Sequence, residues 1–182
     1  CVYWYPDVFI GQWVKTFGLL GGLSGWLLEK FNLAKSPDHF IAISNVTKKK
    51  LIDLNVKENK ITKIPCGVEA EEFDNIIKKT NPPTIITISR LVGYKNIKDL
   101  LLAFALLLKK GYILKLKIIG SGPKKRELIR LAKAIKILHN TQFIENLPRK
   151  RLILELKSSK IFCLPSSVEG FGISVIEAAA AR

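Results

Sequence analysis

Methionine is missing from all 182 residues, position 1 included, so the chain is expected to be a piece of a longer protein. Cysteine is scarce. Cys1, Cys66 and Cys163 are odd in number and share no ligand spacing, which excludes a disulfide framework and a zinc site and fits a reduced, cytosolic setting. The two histidines, His39 beside a buried strand and His139 at a helix end, read as structural, and no Ser-His-Asp arrangement surrounds them. No Walker loop and no metal cluster is present. Long apolar runs are lacking too. The uncharged stretch from Thr16 to Leu28 is too short for a membrane span and carries four glycines, and no signal-peptide pattern precedes it. Acidic residues are half as numerous as basic ones, 15 against 30.

What is present points to a folded chain. Hydrophobic residues make up 48% of it, ample for a core, and the length allows one domain or parts of two. The net charge of +15 is uneven: residues 1–80 carry 11 Lys and Arg against 9 Asp and Glu, and residues 81–182 carry 19 against 6. Lys109-Lys110, Lys124-Lys125-Arg126 and Arg149-Lys150-Arg151 supply much of the excess, near predicted helix ends. Such a face attracts polyanions, acidic lipid surfaces or phosphorylated substrates, or is simply solvated.

Residues 8–31, with Trp13, Phe17, Leu19, Leu20, Trp26, Leu27 and Leu28, read as one or two helices covering a sheet; the alternative is a surface-lying membrane contact. Asp38–Ser44 reads as a buried strand. Asn45 then caps a helix over Val46–Leu54, with Lys48 to Lys50 facing solvent. Ile61–Pro65 is a further short strand, and the polar stretch to Pro82-Pro83 reads as a linker. This divides the chain into residues 1–65, a linker over 66–83, and residues 84–182. Beyond the linker, strands over 84–89, 114–119, 142–144 and 161–164 alternate with helices over 97–110, 124–138, 149–157 and 173–181. Near-continuous apolar runs such as Thr84–Ser89 suit strands covered on both faces. The fold class is therefore α/β, with a doubly wound parallel sheet.

In such sheets ligands bind beyond the carboxyl ends of the strands. Three ends carry suggestive residues. The first is Arg90-Leu91-Val92-Gly93-Tyr94-Lys95, with Asn96 as a helix cap; the second is Gly120-Ser121-Gly122-Pro123. Gly120-x-Gly122 lacks the third glycine of the dinucleotide fingerprint and the acidic residue about 20 positions on, so alone it reads as a tight strand-to-helix turn. The third end, Ser166 to Glu177, organises the rest. Its glycines let backbone N–H groups approach a ligand, and the following helix start favours an anion. Glu169 and Glu177 add carboxylates that accept hydrogen bonds from hydroxyls. A sugar nucleotide carries both features. The bland reading is a glycine turn before an alanine-rich helix, with Glu177 on a solvated face.

Glu169-Gly170-Phe171-Gly172 followed by Glu177 resembles the Glu-x7-Glu signature of the retaining glycosyltransferases of family 4, which have the two-domain GT-B fold. Ile64-Pro65-Cys66-Gly67-Val68, Ser89-Arg90-Leu91 with Lys95, Ile119 to Pro123, and Leu164-Pro165-Ser166 extend the resemblance over nearly the whole chain. It implies that residues 1–65 end an acceptor-side Rossmann-like domain and that 84–182 form most of the donor-side one. It implies, too, that Arg90 and Lys95 hold a diphosphate and that Glu177 binds ribose hydroxyls. Glu169, with Gly170 and the backbone at Phe171 and Gly172, positions the donor sugar; Gly120, Gly122 and Leu147 join the nucleotide-binding set. Glu169, Arg90 and Lys95 are the catalytic candidates, and no metal or other cofactor is required. Departures from the family are Cys66 where Asn is usual, Glu145 where Gly is usual, and Tyr5-Pro6-Asp7 where many members carry an acceptor-side histidine.

The function so implied is transfer of a sugar, with retention, from a nucleoside diphosphate sugar to a glycan or lipid-linked acceptor, as in polysaccharide biosynthesis. The enzyme would sit in the cytoplasm, at the inner face of an anionic membrane. The rival is a non-catalytic Rossmann-like module that binds polyanions, nucleic acid or an anionic membrane, through its basic face; as a partner, nucleic acid is the less favoured.

Overall fold

The computed structural model describes residues 1–10, 12–35, 37–74 and 79–181. Residues 75–78 of the expected linker, and Arg182 at the chain end, lie outside the described residues. The chain divides into two units: Cys1–Cys66 with Glu169–Gly172, and Gly67–Val168 with Ile173–Arg182.

The first unit is built on three parallel strands, β1 (Val2–Tyr5), β2 (His39–Ala42) and β3 (Ile61–Lys63), side by side in that order. Tyr5 lies opposite Ala42, and Ala42 opposite Lys63. Helix α1 (Trp13–Ala34) connects the first pair and α2 (Asn45–Asp53) the second. Val8, Phe40, Ala42, Leu51 and Ile61 form the core. Ser44, rather than the expected Asn45, caps α2: its hydroxyl accepts the Thr47 N–H at 3.0 Å, so the helix starts one residue early. Lys50 does not face solvent freely as expected. Its ammonium donates to Asp7 at 2.8 Å and to the Val8 carbonyl at 3.0 Å, tying α2 to the segment after β1.

Helix α1 keeps the expected form of one or two helices but not the expected cover of the sheet. Gly18 at φ 74 interrupts its helical backbone, a left-handed value that glycine adopts without penalty. The apolar side chains do not all cover the sheet: Leu20 is 87% exposed and Leu19, Phe17, Leu28 and Phe31 are also exposed. The contact with the sheet is made by Leu33 near its end and by Ile10 before it. Between them stands Glu29, only 7% exposed. Its carboxylate accepts the Trp13 indole N–H at 2.5 Å and the Phe9 N–H at 2.9 Å. Burial and the Glu29 charge hold the Tyr5 phenol well above its ordinary range. Among the described residues, no helix is long and apolar enough to cross a membrane.

The second unit carries the regular βα alternation. Strands β4 (Thr84–Ile88), β5 (Lys115–Ile119), β6 (Thr141–Ile144) and β7 (Ile161–Phe162) are all parallel, in the spatial order β6-β5-β4-β7. Helices α3 (Ile97–Lys109), α4 (Lys125–Ala134), α5 (Arg149–Ser158) and α6 (Ile173–Ala180) alternate with them. Because side chains alternate along a strand, adjacent residues of β4 feed different cores. Ile85 joins Leu101, Phe104 and Leu128 on the α3 and α4 side; Ile86 joins Ile153, Leu156 and Ala181 on the α5 and α6 side. The sheet is therefore doubly wound, a Rossmann-like arrangement.

Two boundaries move for local reasons. Helix α4 stops at Ala134 instead of 138, where Lys136 turns left-handed at φ 60 and a 3-10 turn, Leu138–Asn140, follows. Within the expected linker, Phe73 is 4% exposed in the second core, so Ala70–Phe73 packs with the second unit. Phe104, fully buried, is the largest side chain in its core. Phe104→Ala is expected to cost about 3–5 kcal/mol of stability, read by denaturant unfolding of the intact protein.

Candidate functional site

The carboxyl ends of β4, β5 and β6 are joined by backbone hydrogen bonds. Ser89 N–H donates to the Ile119 carbonyl at 3.1 Å, Leu91 N–H to Ser121 at 2.8 Å, and Gly120 N–H to Ile144 at 2.9 Å. Lys124 N–H closes the set on the Leu91 carbonyl at 3.0 Å. The approach is so close that side chains have no room. A Cβ on Gly120, at φ 143, would lie 1.9 Å from the Ser89 carbonyl oxygen; one on Gly122 would lie 2.5 Å from that of Leu91. The two glycines are thus explained by a tight turn, as their spacing alone suggests.

Arg90 leaves this junction exposed, while its neighbour Leu91 is fully buried and anchors the loop. Lys95 ends a 3-10 turn, Gly93–Lys95, with its ammonium 5.3 Å from the Tyr94 ring centroid. Asn96 occupies the N-cap of α3, as expected, but its side chain makes no capping hydrogen bond. It takes a left-handed backbone at φ 51 and donates its amide N–H to the Pro165 carbonyl at 3.0 Å. Ser167 N–H donates to the Tyr94 carbonyl at 2.9 Å. These contacts hold the Arg90–Lys95 loop against the segment that leaves β7. The hydroxyls of Ser89 and Ser166, buried at these neighbouring strand ends, have no hydrogen-bond partner among the described residues.

Glu177 lies in the second turn of α6 with its side chain 12% exposed. It accepts a hydrogen bond from Arg149 Nη1. Arg149 in turn places Nε at 3.0 Å and Nη2 at 2.7 Å from Glu72 Oε2. The Glu72 contact first, and then that with Glu177, raises the Arg149 pKa further above its ordinary value. Sequence reasoning missed this trio, since Arg149 read as part of a solvated basic run and Glu72 as part of a linker. Leu147 is partly buried against the second core. Glu145, at the usually glycine position, accepts from Lys125 at 2.5 Å. Glu169, Gly170, Phe171 and Gly172 group with the first unit, where Gly172 stands at φ 80. Burial pushes the Cys163 thiol up, away from a reactive thiolate.

Among the described residues no three His, Cys, Asp or Glu side chains form a group that could hold a metal ion. A groove of about 560 Å³ in the first unit, lined by Ile10, Leu33, Phe40, Val56 and Lys60, reaches residues that precede β3 rather than its carboxyl end.

Comparison with known proteins converges on one family. The family model described as glycosyl transferases group 1 matches residues 68–182. An uncharacterized glycosyltransferase of Haemophilus influenzae is 39% identical over 107 residues, 58% of this chain and 30% of that protein. The alpha-monoglucosyldiacylglycerol synthase of Streptococcus pneumoniae is 29% identical over 79% of this chain and 35% of its own length. The chain spans 30 to 44% of the curated relatives it matches. Among solved structures, Anabaena Alr3699/HepE in complex with UDP and glucose superposes with a TM-score of 0.77 at 16% identity, over 99% of this chain and 50% of that one. TarM of Staphylococcus aureus, in a complex that includes UDP and alpha-GlcNAc-glycerol, gives 0.71 at 22%, over 85% and 31%.

Proposed function

Because the chain belongs to the glycosyl transferases group 1 family, we propose that the intact protein moves a sugar from a nucleoside diphosphate sugar to a glycan or lipid-linked acceptor, with retention and without a metal. The observation that carries this reading is the family match over residues 68–182, the span that holds Arg90, Lys95, Glu169 and Glu177. The UDP complexes of the structural relatives support a nucleotide donor, and the monoglucosyldiacylglycerol in one relative's name supports a lipid acceptor.

In this reading Arg90 and Lys95 bind the diphosphate. As the bond from the sugar to the phosphate oxygen breaks, negative charge builds on the departing nucleoside diphosphate, and two fixed cations stabilise it. Glu177 accepts hydrogen bonds from the ribose hydroxyls. Glu169 and the backbone at Phe171 and Gly172 position the donor sugar, and Gly120, Gly122 and Leu147 border the nucleoside.

The test is a panel of UDP-, GDP- and ADP-sugars assayed with the intact protein, the anomeric configuration of the product being read by NMR. Transfer from one of them with retained configuration, undiminished by a chelator, is the expected outcome. An inverted product or loss of activity on chelation would overturn the corresponding part. Glu177→Ala is expected to weaken nucleoside diphosphate binding about 10- to 150-fold in calorimetry, the worth of a charge-assisted hydrogen bond.

The charge excess over residues 81–182 favours one second reading, a module that binds polyanions without turnover. That affinity would fall steeply with salt for any polyanion, whereas donor binding would select a nucleoside diphosphate.

A further inference from the structure

Arg149 sits within hydrogen-bond reach of the carboxylate assigned to the ribose, yet belongs to no motif read from the sequence. It opens α5, and its guanidinium is held from several sides. Nε and Nη2 share Glu72 Oε2, at 3.0 and 2.7 Å, and the guanidinium carbon lies 5.7 Å from the Phe73 ring centroid. Phe73 is itself fixed in the second core at 4% exposure. The planar guanidinium presents its donors in a rigid fork, so anchoring one edge aims the other. The remaining nitrogen, Nη1, donates to Glu177 Oε1.

We propose that Arg149 is a positioning residue for nucleotide recognition: braced by Glu72 and Phe73, it orients the Glu177 carboxylate toward the ribose hydroxyls of the donor. The proposal rests on the ribose role assigned to Glu177 above. Charge supports it. One guanidinium stands between two carboxylates and donates to both, so its charge holds Glu72 and Glu177 on either side of it. Geometry supports it as well. A carboxylate accepts at both oxygens, and Arg149 engages Oε1, which directs Oε2 away from the guanidinium. Without Arg149 the Glu177 side chain regains rotamer freedom and faces Glu72 without a cation between them. The opposite role is a competitor that the donor must displace, and the two roles predict opposite signs.

The experiment uses the intact protein and calorimetry with UDP, GDP and ADP, each beside its 2′,3′-dideoxy form. The readout is the affinity ratio of ribo to dideoxy form for whichever base binds. This ratio does not depend on the fraction of folded protein, and neither substituted side chain is among the core residues Ile153, Leu156 and Ala181 that pack α5 and the end of α6. Wild type is expected to prefer the ribo form about 10- to 150-fold, and Glu177→Ala to bring the ratio near one. Arg149→Ala is expected to lower the ratio roughly 10-fold, with Arg149→Lys between it and wild type. A ratio unchanged in Glu177→Ala, or no binding by any of the three diphosphates, would remove the reading on which the proposal rests. A ratio lost in Glu177→Ala but kept in Arg149→Ala, or tighter binding by Arg149→Ala, would overturn the positioning role alone.

Discussion

Arg90→Ala is expected to lower kcat/KM about 10²- to 10³-fold, the scale seen when one fixed donor to a developing anion is removed. Arg90 leaves β4 at its carboxyl end and is exposed, so its guanidinium carries little of the fold. The structural burden falls instead on the next residue, Leu91, which is fully buried. Under the proposed function, the catalytic role and the structural one thus fall on two adjacent positions. The loss should track phosphate. Binding of the nucleoside diphosphate should weaken far more than that of the bare nucleoside, because charge-assisted contacts are the strong class. Lys95→Ala should show the same selectivity, and steady-state kinetics with matched calorimetry on the intact protein measures both. Equal losses for nucleoside and diphosphate would assign these cations to folding.

Gly120→Ala is the second large effect, and it acts on the fold. The added Cβ would meet the Ser89 carbonyl oxygen at 1.9 Å, well inside any contact distance, and at φ 143 an L side chain is strained whatever the space. The neighbour cannot yield cheaply. Ser89 is backbone held to β5 by its own N–H bond to Ile119, and Gly120 is held to β6 by its bond to Ile144. The junction of three strand ends must open to admit one methyl group. A loss of about 3 kcal/mol or more is expected in denaturant unfolding, with donor affinity falling alongside. Gly67→Ala is the control. Nothing lies within 4 Å of a Cβ there and its φ is unstrained, so a change within about 0.5 kcal/mol is expected. Gly120→Ala melting like Gly67→Ala would mean that the strand ends are not packed this closely.

The contrast between Gly120 and Arg149 shows where the sequence stops being legible. Gly120 follows an apolar run and precedes Pro123 and a helical pattern, so a tight turn could be read there without neighbours. Why it must be glycine could not, because the obstacle is a carbonyl 31 residues earlier, brought close by the β4–β5 register. The same holds for Asn96, which looks like a helix cap in sequence and in the fold spends its amide on Pro165. Helix α1 shows the converse: its apolar residues have loose helical spacing, but spacing does not say which of them meets a sheet. Glu29 and Leu33 turn inward while Leu20 and Leu28 do not.

By itself the sequence determined the βα alternation of residues 84–182, and with it the parallel, doubly wound sheet. Strands buried on both faces need unbroken apolar runs, helices need their own period, and turns need glycine or proline, all within a few residues of one another. It determined too which strand ends carry cations, glycines and carboxylates. Only the tertiary structure decided which of those groups meet. Arg149 reaches Glu72 across 77 positions and Glu177 across 28, and Lys50 reaches Asp7 across 43. An ion pair between distant residues leaves no periodic trace, because a charge at a helix start satisfies the same local rules whether it faces water or a partner.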